Sequence, residues 1–64
     1  MQEGTVKFYD SVKGFGFIKP ANGSADIFVH ETGLKTKIRD NDRVTYEEGE
    51  GRKGLTAINV SLID

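Results

Sequence analysis

The sequence predicts an all-β domain of five short strands closed into a small barrel. Three observations carry that prediction. Runs rich in β-branched and aromatic residues occupy residues 4–10, 13–18, 26–30, 42–48 and 55–63, several with the period-two alternation of a strand. Turn formers separate them, most densely at Pro20-Ala21-Asn22-Gly23-Ser24 and Gly49-Glu50-Gly51-Arg52-Lys53-Gly54. No stretch sustains a helical period, and in a chain of 64 residues closure of the sheet on itself removes the exposed edges of an open one.

The first strand begins with β-branched Thr5 and Val6 and continues through Lys7, Phe8 and Tyr9. Phe8 and Tyr9 are adjacent, so on a regular strand one of them points outward. Asp10-Ser11-Val12 reads as a short turn into the second strand, Lys13-Gly14-Phe15-Gly16-Phe17-Ile18. Here Phe15 and Phe17 share one face, and Gly16 between them is expected to leave room for something flat to lie against each ring. Asn22-Gly23 supplies positive-φ positions for a tight hairpin turn, which makes the next strand an antiparallel neighbour. That strand is Asp26-Ile27-Phe28-Val29-His30, whose faces differ: Ile27 and Val29 share one, Asp26, Phe28 and His30 the other. An unpaired Asp resists burial, so the Phe28 face is expected to meet solvent.

Phenylalanines at strand spacing are more often core residues, and periodicity alone favours that reading for Phe15 and Phe17. Two observations reverse it. The opposite face of the second strand carries Gly14, Gly16 and Ile18, small enough to pack closely against a neighbour, and the third strand independently assigns its ring to the polar face. The two runs therefore predict a wet surface of Phe15, Phe17, Phe28 and His30.

Residues 31–41 read as a connector with two apolar plugs, Leu34 and Ile38. The fourth strand, residues 42–48, places Val44 and Tyr46 on one face. Residues 49–54 read as a mobile glycine-rich loop without the spacing of a phosphate cradle. The last strand is expected to turn Ile58, Val60 and Leu62 inward and Asn59 and Ser61 outward.

A single domain is expected at this length, burying about 60% of the surface its unfolded chain exposes. The absence of cysteine excludes a disulfide framework and a thiolate metal site. With neither a helical membrane-spanning run nor a signal-peptide pattern, the chain is expected to be soluble and cytoplasmic. The net charge of −1 is unevenly spread: residues 7–39 carry +3 and residues 40–64 carry −3. The basic excess thus accompanies the aromatic runs. Nothing in the chain pairs a nucleophile with a base, and a lone His30 is no catalytic set, so neither an enzyme nor a metal, cofactor or small-molecule substrate is expected.

Taken together, Gly4-Thr5-Val6-Lys7-Phe8-Tyr9, the second and third strands, and Ala57-Ile58-Asn59-Val60 resemble the bacterial cold shock protein family over essentially the whole chain. The resemblance implies one cold shock domain over residues 1–64, folded as a five-stranded antiparallel barrel of the oligonucleotide-binding class. It implies a binder of single-stranded RNA and DNA that acts as an RNA chaperone and influences transcription and translation, often in the cold. Matching positions place the binding surface on Lys7, Phe8, Lys13, Phe15, Phe17, Phe28 and His30, with Lys53 in the glycine-rich loop. Each ring would stack one base at about 1–3 kcal/mol, and lysines would meet phosphates, so sequence preference is expected to be weak. His30 is expected to stack or hydrogen-bond.

The chain departs from the family pattern at several positions. Phe8 stands where Trp is common, Asp10 where Asn is, Glu31 where an aromatic often follows the histidine, and Leu55 where Pro is common. The connector is short and holds no aromatic residue, only the cations Lys35, Lys37 and Arg39. The stacking track is therefore expected to end near Phe28 and His30. A monomer is expected. The alternative function is a protein-interaction module that uses the aromatic patch; the bordering lysines favour nucleic acid, because protein interface cores are depleted of lysine.

Overall fold

Alternation puts Val6, Ile18, Ile27, Val29, Val44 and Tyr46 on the inner sides of their strands, and in the computed structural model all of them are buried around one core. The structure describes residues 1–51 and 54–63. Its strands are β1 (Gln2–Asp10), β2 (Phe15–Pro20), β3 (Ile27–His30), β4 (Arg43–Gly51) and β5 (Gly54–Leu62). They close into a barrel in the order β1-β2-β3-β5-β4. Ile38, Ala57 and Val60 complete the core, with Tyr9 and Leu34 packed against it. Both connector plugs thus reach the core, and a single 3-10 turn at Glu31–Gly33 leads into them.

The pairings of β1 with β2, β2 with β3, β1 with β4 and β4 with β5 are antiparallel, as expected. The fifth pairing is not. β3 meets β5 in parallel through Phe28↔Thr56 and Val29↔Ala57, and this short seam closes the barrel.

Two single-residue irregularities shape the faces. In β1 the register passes from Val6↔Ile18 to Phe8↔Phe17, so two steps on β1 match one on β2. Val6 faces inward, and the extra residue turns Phe8 outward where strict alternation would bury it. The interruption is backed by the end of the connector: Val6 donates to the Asp42 carbonyl, Asn41 to the Val6 carbonyl, and the Tyr9 amide to Asp40 Oδ1. In β5 the register passes from Thr45↔Ser61 to Glu47↔Ile58, with Asn59 at φ 52°. A left-handed residue opening a two-against-one step is the geometry of a β-bulge, and Asn accepts that conformation more readily than most residues.

The second bulge overturns the expected alternation of the last strand. Upstream of it Ala57 points inward and Ile58 outward; downstream Val60 is inward. Leu62 is in phase with Val60 but lies at the barrel rim, where it stays exposed.

Two turns also differ from expectation. Asn22-Gly23 does not form a two-residue hairpin: the β2–β3 ladder runs from Phe15↔His30 to Ile18↔Ile27, and residues 21–26 form the loop. Only Gly23 takes a positive φ there; Asn22 instead accepts a hydrogen bond from the Ser24 amide through its side chain. Of the glycine-rich segment, the described residues Gly49, Glu50, Gly51 and Gly54 are strand, because β4 and β5 stay paired out to Gly51↔Gly54.

Candidate functional site

The ring surface is assembled by register. Phe8 lies across from Phe17 on β2, Phe17 across from Phe28 on β3, and Phe15 across from His30. All point away from the core because the β1 bulge brings Phe8 into phase with its neighbours. Phe8 meets Phe15 and Phe17 edge-on, with centroids 6.3 and 5.5 Å apart. Phe17 meets Phe28 edge-on at 5.8 Å, whereas Phe15 and Phe28 stack near-parallel at 5.9 Å with an interplanar angle of 22°. Phe8 and Phe28 are each 37% exposed, and Phe15 and Phe17 are half-buried. The rings support one another from the side while part of each remains open to solvent.

Gly16 serves a different purpose from the one its spacing suggested. It is buried on the inner side of β2, where an added Cβ would collide with the Phe8 carbonyl oxygen and lie 2.9 Å from Tyr9 Cα. Its missing side chain admits the backbone of β1, and so brings Phe8 close enough to touch Phe15 and Phe17.

His30 is exposed at the end of β3 and caps the 3-10 turn. Its Nδ1 accepts from the Thr32 amide at 3.3 Å and lies 3.0 Å from Thr32 Oγ1. In the tautomer that accepts from the Thr32 amide the ring N–H is Nε2–H, which no side-chain hydrogen bond among the described residues engages. Thr32 was missed in the sequence, where neither its residue type nor its spacing marks it as a partner of His30.

The cations divide. Lys7 is exposed but its Nζ is 2.9 Å from Asp26 Oδ2, a residue of the same wet face. Such a surface pair is worth roughly 0–1 kcal/mol, little enough for a phosphate to displace. Lys13 is exposed in the β1–β2 turn. That turn is held by Asp10 Oδ1, which accepts from the amides of Val12 and Lys13 at 3.0 Å each, so Asp supplies the acceptor that Asn would. Lys53 lies outside the described residues. Lys35, Lys37 and Arg39 border a separate hollow, with Tyr9 and Glu31 among its other walls. The Tyr9 phenol is held above its ordinary range by burial, and further by the negative charges of Glu31 and Asp10.

A groove of about 720 Å³ continues the ring surface across the seam, lined by Phe28 and His30 on one side and Leu55, Thr56 and Ile58 on the other. The sequence concealed it, because the expected alternation turned Ile58 inward. Among the described residues no group of three or more His, Asp or Glu side chains is placed to hold a metal ion, and no helix is long and apolar enough to cross a membrane.

A family model described as the 'Cold-shock' DNA-binding domain matches residues 2–63. The major cold shock protein of Micrococcus luteus is 45% identical, covering 98% of this chain and 100% of its own. The cold shock-like protein CspC of Escherichia coli (strain K12) is 44% identical over 95% of this chain and 94% of its own. Among solved structures, the Drosophila Unr CSD456 superposes with a TM-score of 0.80 at 26% identity; the match covers 98% of this chain and 26% of that longer one.

Proposed function

Because the chain belongs to the cold-shock DNA-binding domain family, we propose that it is a non-enzymatic, sequence-tolerant binder of single-stranded RNA and DNA that acts as an RNA chaperone. One observation carries the reading: Phe8, Phe15, Phe17 and Phe28 come from three adjacent strands and form a single solvent-facing cluster beside His30. Every base has a π-face, so such a cluster stacks unpaired bases of any sequence, and a duplex, whose bases are already stacked, offers it little. Capture of unpaired bases would shift weak RNA helices toward the open strand, which is the chaperone activity and the route to effects on transcription and translation, including in the cold.

In this reading Lys7, released from Asp26, and Lys13 neutralise phosphates, Lys53 adds a further cation, and His30 offers Nε2–H to a base or phosphate. The protein would act in the cytoplasm as a monomer built from one domain. Titration with oligo(dT) and with a duplex of equal length, followed by tyrosine fluorescence, tests it. Tighter binding of the single strand is the expected outcome. Equal or absent binding to both would instead favour a protein partner on the aromatic patch.

A further inference from the structure

The ladder between β2 and β3 does not stop at Phe15↔His30. The Glu31 amide donates to the Gly14 carbonyl at 2.9 Å, which adds one more rung beyond the last ring pair. Gly14 has φ +78°, and a Cβ built there would lie 2.9 Å from both Cδ and Oε2 of Glu31, so the carboxylate rests directly over the glycine. From there it lines a hollow together with Tyr9, Leu34, Lys35, Lys37 and Arg39. Among the described residues the ion pairs are Lys7–Asp26 and Glu3–Arg43, so Glu31 is unpaired there. Nor does any side-chain hydrogen bond among those residues engage the Glu31 carboxylate or the Tyr9 hydroxyl.

The hollow lies off the ring face, since none of Phe8, Phe15, Phe17, Phe28 or His30 lines it, but Glu31 directly follows His30. An unpaired carboxylate beside the path of a polyanion is a liability unless it meets a donor. The strand itself supplies donors on its bases, whose Watson–Crick edges are open when unpaired. Guanine presents N1–H and N2–H side by side, a pair that matches the two oxygens of a carboxylate. No other base does: cytosine and adenine set one amino group beside a ring-nitrogen acceptor, and thymine or uracil sets one N–H between two carbonyls that a carboxylate repels.

We propose that Glu31 and Tyr9 form a guanine-selective subsite one rung beyond the Phe15–His30 pair, with the carboxylate accepting from N1–H and N2–H and the phenol donating to O6. The subsite rests on the single-strand reading above and adds a base preference to it. Lys35, Lys37 and Arg39 border the same hollow and face three carboxylates, Glu31, Asp40 and Asp42, so the cations balance the negative charge where the flanking phosphates would pass. Burial and the neighbouring negative charge keep the phenol protonated, which is the form that donates.

The test walks a single dG through each position of an oligo(dT), with matching series for dA, dC and deoxyinosine, and measures affinity for the wild type, Glu31→Gln and Tyr9→Phe by calorimetry. At least one dG register should bind about fivefold or more tighter than oligo(dT), the lower end of what a bidentate base contact provides. Deoxyinosine, which lacks the N2 amino group, should lose most of that gain. Glu31→Gln, an exposed and nearly isosteric change, should abolish the distinction between dG and deoxyinosine, and Tyr9→Phe should reduce the dG gain in part. No dG gain in the wild type, an equal gain from dA or dC, or a gain that survives Glu31→Gln overturns the proposal. Failure of oligo(dT) itself to bind better than duplex overturns the single-strand reading and this one with it, whereas oligo(dT) binding without a dG gain overturns only the guanine subsite.

Discussion

A phenylalanine that is half open to solvent loses less on truncation than one in a core, and it loses it from a different account of energy. Replacing Phe15, Phe17 or Phe28 by Ala should weaken single-strand binding by about 1–3 kcal/mol, the range for one stacked base. The stability cost should stay below the roughly 3–5 kcal/mol of a fully buried Phe. Binding isotherms and urea midpoints for the same variants separate the two; a variant that unfolds while its folded fraction binds normally would show the rings to be core after all. These residues were legible because three short signals agreed: rings at period two, small residues opposite them, and an Asp sharing the face of Phe28. The role of Gly16 was not legible. Its spacing said that a side chain was missing, while the object filling that space, the β1 backbone, became visible only once the strands were paired.

Strands are where the sequence misled, and for one physical cause. Alternation is a reliable guide to faces only while the register holds, and a single inserted residue inverts every assignment beyond it. In β1 the inversion helped, because it carries Phe8 to the outside; in β5 it exchanged Ile58 for Ala57 as the inward residue. No apolar pattern marks the second bulge, but Asn59 does so chemically, since its φ of 52° suits Asn and Gly and strains a β-branched side chain. Asn59→Gly should therefore leave the urea midpoint nearly unchanged. Asn59→Val should destabilise by about 1–2 kcal/mol, the cost of holding an ordinary residue in a left-handed conformation. Equal midpoints for the two variants would mean that the bulge can relax into regular strand. The Asn22-Gly23 signal failed for a related reason: the ladder frays before it reaches the turn, and the side chain of Asn22 bonds locally instead of shaping a two-residue hairpin.

The whole barrel responds to pH through its tyrosines. Tyr46 is fully buried in the core, and burial first, then the charge of Glu48, raise its phenol above the ordinary 10.0. The folded chain thus holds this proton more tightly than the unfolded one. Its stabilising contribution is complete below the unfolded value of 10.0 and is lost as pH rises through the higher folded value. Denaturant midpoints should consequently fall above pH 10, and Tyr46→Phe should shallow that fall; parallel profiles for the two proteins would assign the loss to other groups. Closure itself depends on few bonds. The β3–β5 seam consists of Phe28↔Thr56 and Val29↔Ala57, with a lone bridge at Leu34↔Val60 nearby, and it joins segments far apart in sequence. Opening there needs the fewest broken pairs, so the amides of the seam should exchange with deuterium earlier than those of the β1–β2 ladder. Phe28 stands on that seam, and the groove beside it spans both strands. A base seated against Phe28 would touch both sides of the closure at once and act as a latch: the nucleic acid would slow exchange across the weakest join of the protein while the protein holds its bases apart.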